Sequence, residues 1–158
     1  FPTLNVSISA TTRDPRPGEL NGVHYYFVSA QEFDAMIERG DMLEWALVHG
    51  KNKYGTPRGP VDDALAAGKP VLLEIDLAGA RQVRSTRPDA QFIFLAPPSW
   101  EELEHRLIGR GTESPEEQAR RLATARVELE AASEFDHVVI NDDVERAVDE
   151  LARLIGLE

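Results

Sequence analysis

Two arginines lie three residues apart in the segment SATTRDPRPGE, residues 9–19, directly after a predicted strand. A guanidinium group holds a phosphate or a carboxylate through paired hydrogen bonds, so Arg13 and Arg16 together could bind one phosphate. In an α/β fold, ligands lie beyond the carboxyl ends of the strands, which is where this segment falls. The alternative is a solvated loop in which the arginines pair with Asp14 and Glu19, and spacing alone leaves both interpretations open.

A second set of polar side chains lies in a stretch where aromatic and polar residues alternate. Tyr25, Tyr54 and Thr56 supply hydroxyl groups, and Glu44 supplies a carboxylate. A carboxylate accepts hydrogen bonds in pairs, so it could recognise a flat base edge with adjacent N–H groups, as guanine has at N1 and N2. The alternative is that these are ordinary strand residues, because Tyr and Thr favour strands.

Two carboxylates, Glu74 and Asp76, end the apolar run VLLEID. Side chains two residues apart on a strand share a face, so we expect the two to lie side by side at the end of a buried strand. Acidic residues in that position, beside a phosphate site, can hold a magnesium shell or accept from a ligand donor. A solvated pair at a strand end is the alternative.

Three further arginines, Arg106, Arg110 and Arg121, lie in and around the run GRGT. Glycines on both sides of Arg110, between two predicted helices, indicate a mobile segment that could bring positive charge onto a phosphoryl group during its transfer. The alternative is a solvated helical hairpin with ion pairs, and we interpret Arg120 and Arg126 in that way.

The elements that must hold these residues alternate between apolar runs and helical patterns, which predicts an α/β fold with a parallel sheet and crossover helices. The stretch 23–56 differs in character and predicts a small mixed lobe inserted in the core. Four apolar runs are predicted as sheet strands: Asn5–Ala10, Pro70–Asp76, Gln91–Leu95 and His137–Ile140.

Helix boundaries are marked by local signals. Ser29, Ser99 and Ser114 each lie three residues before a glutamate, a pattern in which each side chain can accept from the other's backbone N–H at the start of a helix. Gly40 and Gly68 fall where helix ends favour positive φ. These signals predict where the helices begin and end more sharply than the apolar pattern does.

Composition narrows the class of protein. The chain has 158 residues, 42% of them hydrophobic and 28% charged, which is typical of one globular domain. It contains no cysteine, so a disulfide framework and thiolate metal sites are excluded, and we expect the cytoplasm. The net charge of −11 argues against binding a nucleic-acid polymer. The apolar runs are too short to cross a membrane.

Seven segments of the chain resemble the corresponding segments of bacterial guanylate kinases in order and spacing, and the likeness covers nearly the whole chain. They are SISATTRDPRPGE, NGVHYYFVS, FDAMIERGDMLEWA, YGTP, LLEIDLAGARQVR, FLAPPSWEELEHRLIGRGTE and FDHVVIND. The resemblance implies a P-loop-kinase-like parallel sheet flanked by helices, with an inserted small mixed α/β GMP-binding lobe and a helical lid. It implies a single domain over 1–158, divided into core (1–12, 60–105 and 122–158), GMP-binding lobe (13–59) and lid (106–121).

The resemblance also implies an activity in purine metabolism: transfer of the γ-phosphoryl group of ATP to GMP, with Mg²⁺ as cofactor. The implied small-molecule ligands are ATP and GMP or dGMP. The implied GMP ligands are Ser9, Arg13, Arg16, Tyr25 and Tyr54 at the phosphate, and Glu44, Thr56 and Asp76 at the base. The implied catalytic residues are Arg13, Arg106, Arg110 and Arg121, and the implied ATP contacts are Arg106, Arg110 and Asn141. No residue is implied as a direct metal ligand, and Glu74 is expected to reach the magnesium shell through water. Partners would be small molecules, with the chain a monomer or a homo-oligomer.

The phosphate-binding loop of this family, G-x-x-x-x-G-K-[ST], does not occur in the sequence. It would lie roughly twenty residues before Ser9, and eight residues precede Ser9. We therefore expect the native polypeptide to carry an additional N-terminal segment. Two alternatives stay open: a guanylate-kinase-like module that binds a protein partner, and a GMP-binding fragment without turnover. Such modules typically lack part of the GMP set or the lid arginines, and this sequence has both.

Overall fold

The computed structural model describes residues 4–108 and 114–157, which belong to two compact units, Phe1–Ala90 and Gln91–Glu158. The strands in these residues are β1 Asn5–Val6, β2 Ala10–Thr11, β3 Tyr26–Phe27, β4 Met42–Val48, β5 Asn52–Pro57, β6 Val71–Leu72, β7 Ile93–Ala96 and β8 His137–Ile140. The helices are α1 Ala30–Glu38, α2 Arg58–Ala66, α3 Leu77–Thr86, α4 Trp100–Ile108, α5 Pro115–Glu130 and α6 Val144–Ile155, with a 3₁₀ turn at Ala131–Glu134. No helix in the described residues has both the length and the apolar character that a membrane span requires.

The first unit contains a four-stranded mixed sheet in the order β3-β2-β5-β4 and a separate parallel pair, β1 with β6. Strands β4 and β5 form an antiparallel hairpin in which Glu44 lies opposite Thr56. The turn of this hairpin places His49 at φ 53° and Gly50 at φ 65°. Two successive residues with positive φ match the right-handed twist of the strands that they connect. At the other end of the hairpin the register shifts between Met42 and Glu44, as a β-bulge requires.

The prediction of a single strand over Asn5–Ala10 is wrong. The first part, Asn5–Val6, pairs with Val71–Leu72, and the last residue belongs to Ala10–Thr11, which joins the four-stranded sheet. The backbone bonds show the change of partner, since the Ser7 N–H donates to the Leu72 carbonyl. Beyond that bond the chain leaves β6 and crosses to the other sheet, so one apolar run supplies strands to two sheets.

The serine signals for helix starts are confirmed. The hydroxyl oxygens of Ser29, Ser99 and Ser114 accept from the N–H three residues on, at 3.0, 3.1 and 3.2 Å. The two glycines predicted at helix ends also have positive φ, 76° at Gly40 and 77° at Gly68. Local signals of this kind are sufficient to place helix boundaries because capping depends on neighbours in sequence.

The core of the first unit lies beneath the four-stranded sheet. Phe33 of α1 is completely buried against Ala10 and Met42, and its ring meets Trp45 edge to face at 6.4 Å between centroids. Burying a side chain of this size stabilises the fold by about 2–3 kcal/mol. Helix α1 therefore packs on one face of the sheet against strands β2 and β4.

The second unit is built on the parallel pair of β7 with β8, in which Ile93 lies opposite His137. The predicted strand over Gln91–Leu95 is confirmed with a shift to Ile93–Ala96, and the predicted strand over His137–Ile140 is confirmed with its own bounds. Helices α4 and α5 pack together, and the guanidinium carbon of Arg126 lies 4.4 Å from the centroid of the Trp100 ring. The described residues thus have the predicted α/β class, with parallel pairs and helices.

Candidate functional site

Arg13 lies two residues beyond β2 and is held by groups from two directions. Its Nε donates to the Tyr54 hydroxyl at 3.2 Å, and its two terminal nitrogens donate to the two oxygens of Glu19 at 2.9 and 3.0 Å. The guanidinium carbon also lies 5.2 Å from the centroid of the Tyr25 ring, and Tyr25 in turn meets Tyr54 edge to face. The structure therefore brings together three of the residues implied at the GMP phosphate.

Glu19 closes the loop that carries both arginines. Besides its paired bonds with Arg13, it accepts from the backbone N–H of Arg16 at 2.7 Å. These hydrogen bonds lower the pKa of Glu19 to about 2, with the bond from Arg13 as the main cause. The ion pair with Glu19, which spacing alone left open, is therefore made by Arg13. The Arg16 side chain is exposed, and Arg16 contacts Glu19 through its backbone N–H.

Glu44 and Thr56 form a second polar group on the β4–β5 hairpin. Their positions are opposite each other, and the buried Thr56 hydroxyl donates to Glu44 Oε1 at 2.8 Å. Burial raises the pKa of Glu44, the bond from Thr56 acts in the opposite direction, and the charge of Asp76 adds to the increase. A half-buried carboxylate with one oxygen already oriented is suited to accept hydrogen bonds from a ligand.

The prediction that Glu74 and Asp76 share a face at the end of a strand is wrong. Strand β6 ends at Leu72, and Asp76 is the N-cap of α3, where its Oδ1 accepts from the Gly79 N–H at 2.8 Å. The first N–H groups of a helix lack partners within the helix, so an Asp at this position starts a helix more readily than it ends a strand. Both side chains remain exposed.

Gly79 allows two carboxylates to approach the same point of α3. A Cβ atom on Gly79 would lie 3.1 Å from Asp76 Oδ1 and 3.1 Å from Glu44 Oε2. The two oxygens are therefore separated by at most twice that distance. The sequence analysis did not predict that Gly79 makes room for the two carboxylates. The signal in the sequence is a glycine three residues after an Asp at the start of a helix.

The remaining residues with implied roles are placed as follows. The Ser9 carbonyl accepts from the Tyr26 N–H at 2.9 Å. In the second unit, Arg106 of α4 donates to Glu102 one turn earlier at 3.2 Å. Arg121 lies on the exposed surface of α5, and Asn141 follows β8, where its N–H donates to the Ala96 carbonyl at 2.7 Å. Arg110 lies outside the described residues.

One strand of the first unit carries side chains that contact both polar groups. Tyr54 and Thr56 are two residues apart on β5, so their side chains leave the same face of the strand. Tyr54 contacts Arg13, and Thr56 contacts Glu44. Strand β5 therefore connects the group of Arg13 and Glu19 to the group of Glu44 and Thr56, in a protein of the α/β class.

Comparisons with known proteins agree with this class. The family model described as guanylate kinase matches residues 2–158. The guanylate kinase of Cutibacterium acnes is 58% identical over 156 residues, covering 99% of this chain and 78% of that protein. The guanylate kinase of Nocardia farcinica is 60% identical over 155 residues, with 98% and 80% coverage. A crystal structure of guanylate kinase from Anaplasma phagocytophilum superposes with a TM-score of 0.74 at 33% identity, covering 98% of this chain and 76% of that one.

The chain belongs to the guanylate kinase family.

Proposed function

We propose that this chain acts as an ATP:GMP phosphotransferase, with GMP bound on the first unit by the two polar groups that strand β5 connects. The observation that carries the proposal is that Tyr54 and Thr56, on one face of β5, contact Arg13 and Glu44 respectively. Guanylate kinases 58–60% identical to the chain over nearly its whole length support the same activity. The products are ADP and GDP.

At the phosphate end, Arg13 is the central ligand. Its bonds to Tyr54, Glu19 and the Asp14 carbonyl use four of the five guanidinium N–H groups. A phosphate would bind through the remaining N–H of Nη2, and little side-chain freedom would be lost because the group is already oriented. Ser9, Arg16 and Tyr25 complete the proposed phosphate ligands. The bound phosphate then presents an oxygen for attack in a fixed direction, which lowers the entropic part of the barrier.

At the base end, Glu44 accepts from guanine N–H groups while Thr56 fixes its other oxygen. Adenine has no N1–H and no N2 amino group, so it would leave these carboxylate oxygens without a donor. Asp76 Oδ1 and Glu44 Oε2 both lie 3.1 Å from the position of a Cβ on Gly79, and Asp76 is the proposed second acceptor. Preference for GMP over AMP would therefore depend on these two acidic residues.

In the transfer step, a GMP phosphate oxygen forms a bond to the γ-phosphorus of ATP as the bond to the bridging oxygen of ADP breaks. We assign Arg106, Arg110, Arg121 and Asn141 to contacts with ATP, where arginine charge offsets the charge of the moving phosphoryl group. No covalent intermediate with the protein is required. The cytoplasm, where free GMP and ATP occur, is the proposed location.

Mg²⁺ is proposed as the cofactor, and when bound it would offset negative charge on the ATP phosphates. The described residues contain no group of three or more acidic or histidine side chains able to hold a metal ion. We propose that the ion is held mainly by the nucleotide phosphates. Glu74, exposed between β6 and α3, is the proposed contact through water.

The experiment that tests the proposal is calorimetric titration of GMP and then AMP into the chain, followed by a coupled ADP-release assay with ATP and Mg²⁺. We expect GMP to bind and AMP to bind far more weakly. Replacing Glu44 by Gln should weaken GMP binding by about 1–3 kcal/mol, because the amide is ill matched to the ligand donors. Glu38→Gln, on the exposed end of α1, is the matched control.

Equal affinity for GMP and AMP, or full GMP affinity in Glu44→Gln, would contradict the assignment of the base end. A folded chain that binds neither nucleotide would instead favour the protein-interaction module. The set of GMP ligands at Arg13, Tyr54, Glu44 and Thr56 is what favours the enzyme.

A further inference from the structure

The outer edge of β4 is covered by side chains of α3. Strand β4 is the last strand of its sheet and pairs with β5 on one side. On the other side, Gln82 Oε1 accepts from the Trp45 N–H at 3.0 Å, and Gln82 Nε2 donates to the Trp45 carbonyl at 2.8 Å. One planar amide thus makes the two bonds that a neighbouring strand would make. One turn further on, the Thr86 hydroxyl donates to the Leu43 carbonyl at 2.8 Å.

These bonds fix the backbone on both sides of Glu44, since Leu43 and Trp45 are its two neighbours. The helix that makes them is the same helix that Asp76 begins. Helix α3 therefore holds one proposed base ligand at its N-cap and determines the position of the other through its bonds to β4. The separation of the two carboxylates depends on how firmly α3 and β4 are joined.

We propose that Gln82 is a positioning residue for nucleobase selection: its amide bridge to Trp45 sets the spacing of Glu44 and Asp76 that recognises the amino group at C2 of guanine. This inference rests on the proposed function, because Glu44 and Asp76 are proposed ligands of guanine. It assigns no contact between Gln82 and the ligand. Only an amide supplies a donor and an acceptor in the required plane, so a residue of similar size without both would leave the Trp45 backbone groups without these partners.

The test replaces Gln82 by Met, which has similar length and high helix propensity but cannot form the bridge. Dissociation constants for GMP and for inosine monophosphate, which lacks the amino group, are measured by calorimetry on the same samples. Wild type is expected to prefer GMP. The variant is expected to bind GMP roughly five- to thirtyfold more weakly, in line with one ill-matched hydrogen bond between guanine and the displaced carboxylates, and its preference over inosine monophosphate should shrink.

The matched control is Val61→Ala on α2, a buried residue that belongs to neither polar group. It lowers stability without touching the bridge, so its ratio of the two dissociation constants should equal that of wild type. A wild-type ratio in a folded Gln82→Met variant would overturn the inference, as would an equal change of ratio in Val61→Ala.

A second variant covers the case in which Gln82→Met does not fold. Thr86→Val removes one bond to Leu43 and should change the ratio in the same direction by a smaller factor, whereas an unchanged ratio would overturn the inference. A wild-type chain with no preference for GMP over inosine monophosphate would instead contradict the proposed function itself.

Discussion

Replacing Gly79 by Ala would place a methyl group 3.1 Å from both Asp76 Oδ1 and Glu44 Oε2, and 3.3 Å from the Cβ of Ile75. Carbon and oxygen atoms in ordinary contact lie about 3.4 Å apart or more, so the two carboxylates would have to move by a few tenths of an ångström. The backbone conformation itself accepts alanine, because Gly79 is an ordinary residue of helix α3.

The effects on stability and on binding should differ. Alanine in a helix is favoured over glycine by about 1 kcal/mol, whereas overpacking costs about 1–3 kcal/mol, so the net loss of stability should be about 0–2 kcal/mol. The two carboxylates would no longer match the donors of guanine, and one mismatched hydrogen bond costs about 1–3 kcal/mol. GMP binding should therefore weaken by about 5- to 150-fold.

The assay combines calorimetric titration of GMP with thermal unfolding of the same samples. Gly59→Ala is the control, since a Cβ at Gly59 in α2 would meet nothing within 4 Å. The control should bind GMP as wild type does and be at least as stable. Wild-type GMP affinity in Gly79→Ala would refute the argument that this glycine makes room for both carboxylates.

Two further predictions concern pH. Because Arg13 lowers the pKa of Glu19 from 4.5 to about 2, Glu19 contributes stability above pH 4.5 that is lost as pH falls towards 2. The free energy of unfolding in urea should therefore differ between Glu19→Gln and wild type by an amount that shrinks over this interval. A constant difference would count against the prediction. Burial raises the pKa of Glu44 above 4.5, so the folded state loses stability relative to the unfolded state as pH rises and Glu44 ionises. Glu44→Gln should therefore unfold at a higher temperature than wild type at about pH 7 but not at about pH 4. A lower unfolding temperature of the variant at neutral pH would disprove this.

Sequence reasoning was sufficient where the signal was local. The serine caps at Ser29, Ser99 and Ser114 depend on residues three positions apart, and each helix begins where they predict. The α/β class followed from the alternation of apolar runs and helical patterns. The hydroxyl and carboxylate residues named from the sequence are also brought into contact, Tyr54 with Arg13 and Thr56 with Glu44, whereas their binding of GMP stays a prediction.

The errors arose where tertiary pairing overrides the local pattern. A continuous apolar run over Asn5–Ala10 does not show where the chain changes sheets, and the run towards Asp76 conceals a helix cap. Similarly, the spacing of Arg13 and Glu19 allowed either a phosphate or an ion pair. The Gln82 bridge could not be predicted at all, because its partner Trp45 lies 37 residues away and a lone glutamine on a helix is typical of an exposed face.

The register of the β4–β5 hairpin has a consequence for how this family can vary. Tyr54 and Thr56 lie on the face of the sheet that carries Glu44 only while Glu44 stays opposite Thr56, and a slip of one residue would turn both side chains to the opposite face together. The turn at His49 and Gly50 and the bulge after Met42 hold that register at its two ends. Single insertions or deletions between the two strands should therefore abolish the proposed phosphate and base recognition at once, whereas changes in length that preserve the pairing should be tolerated.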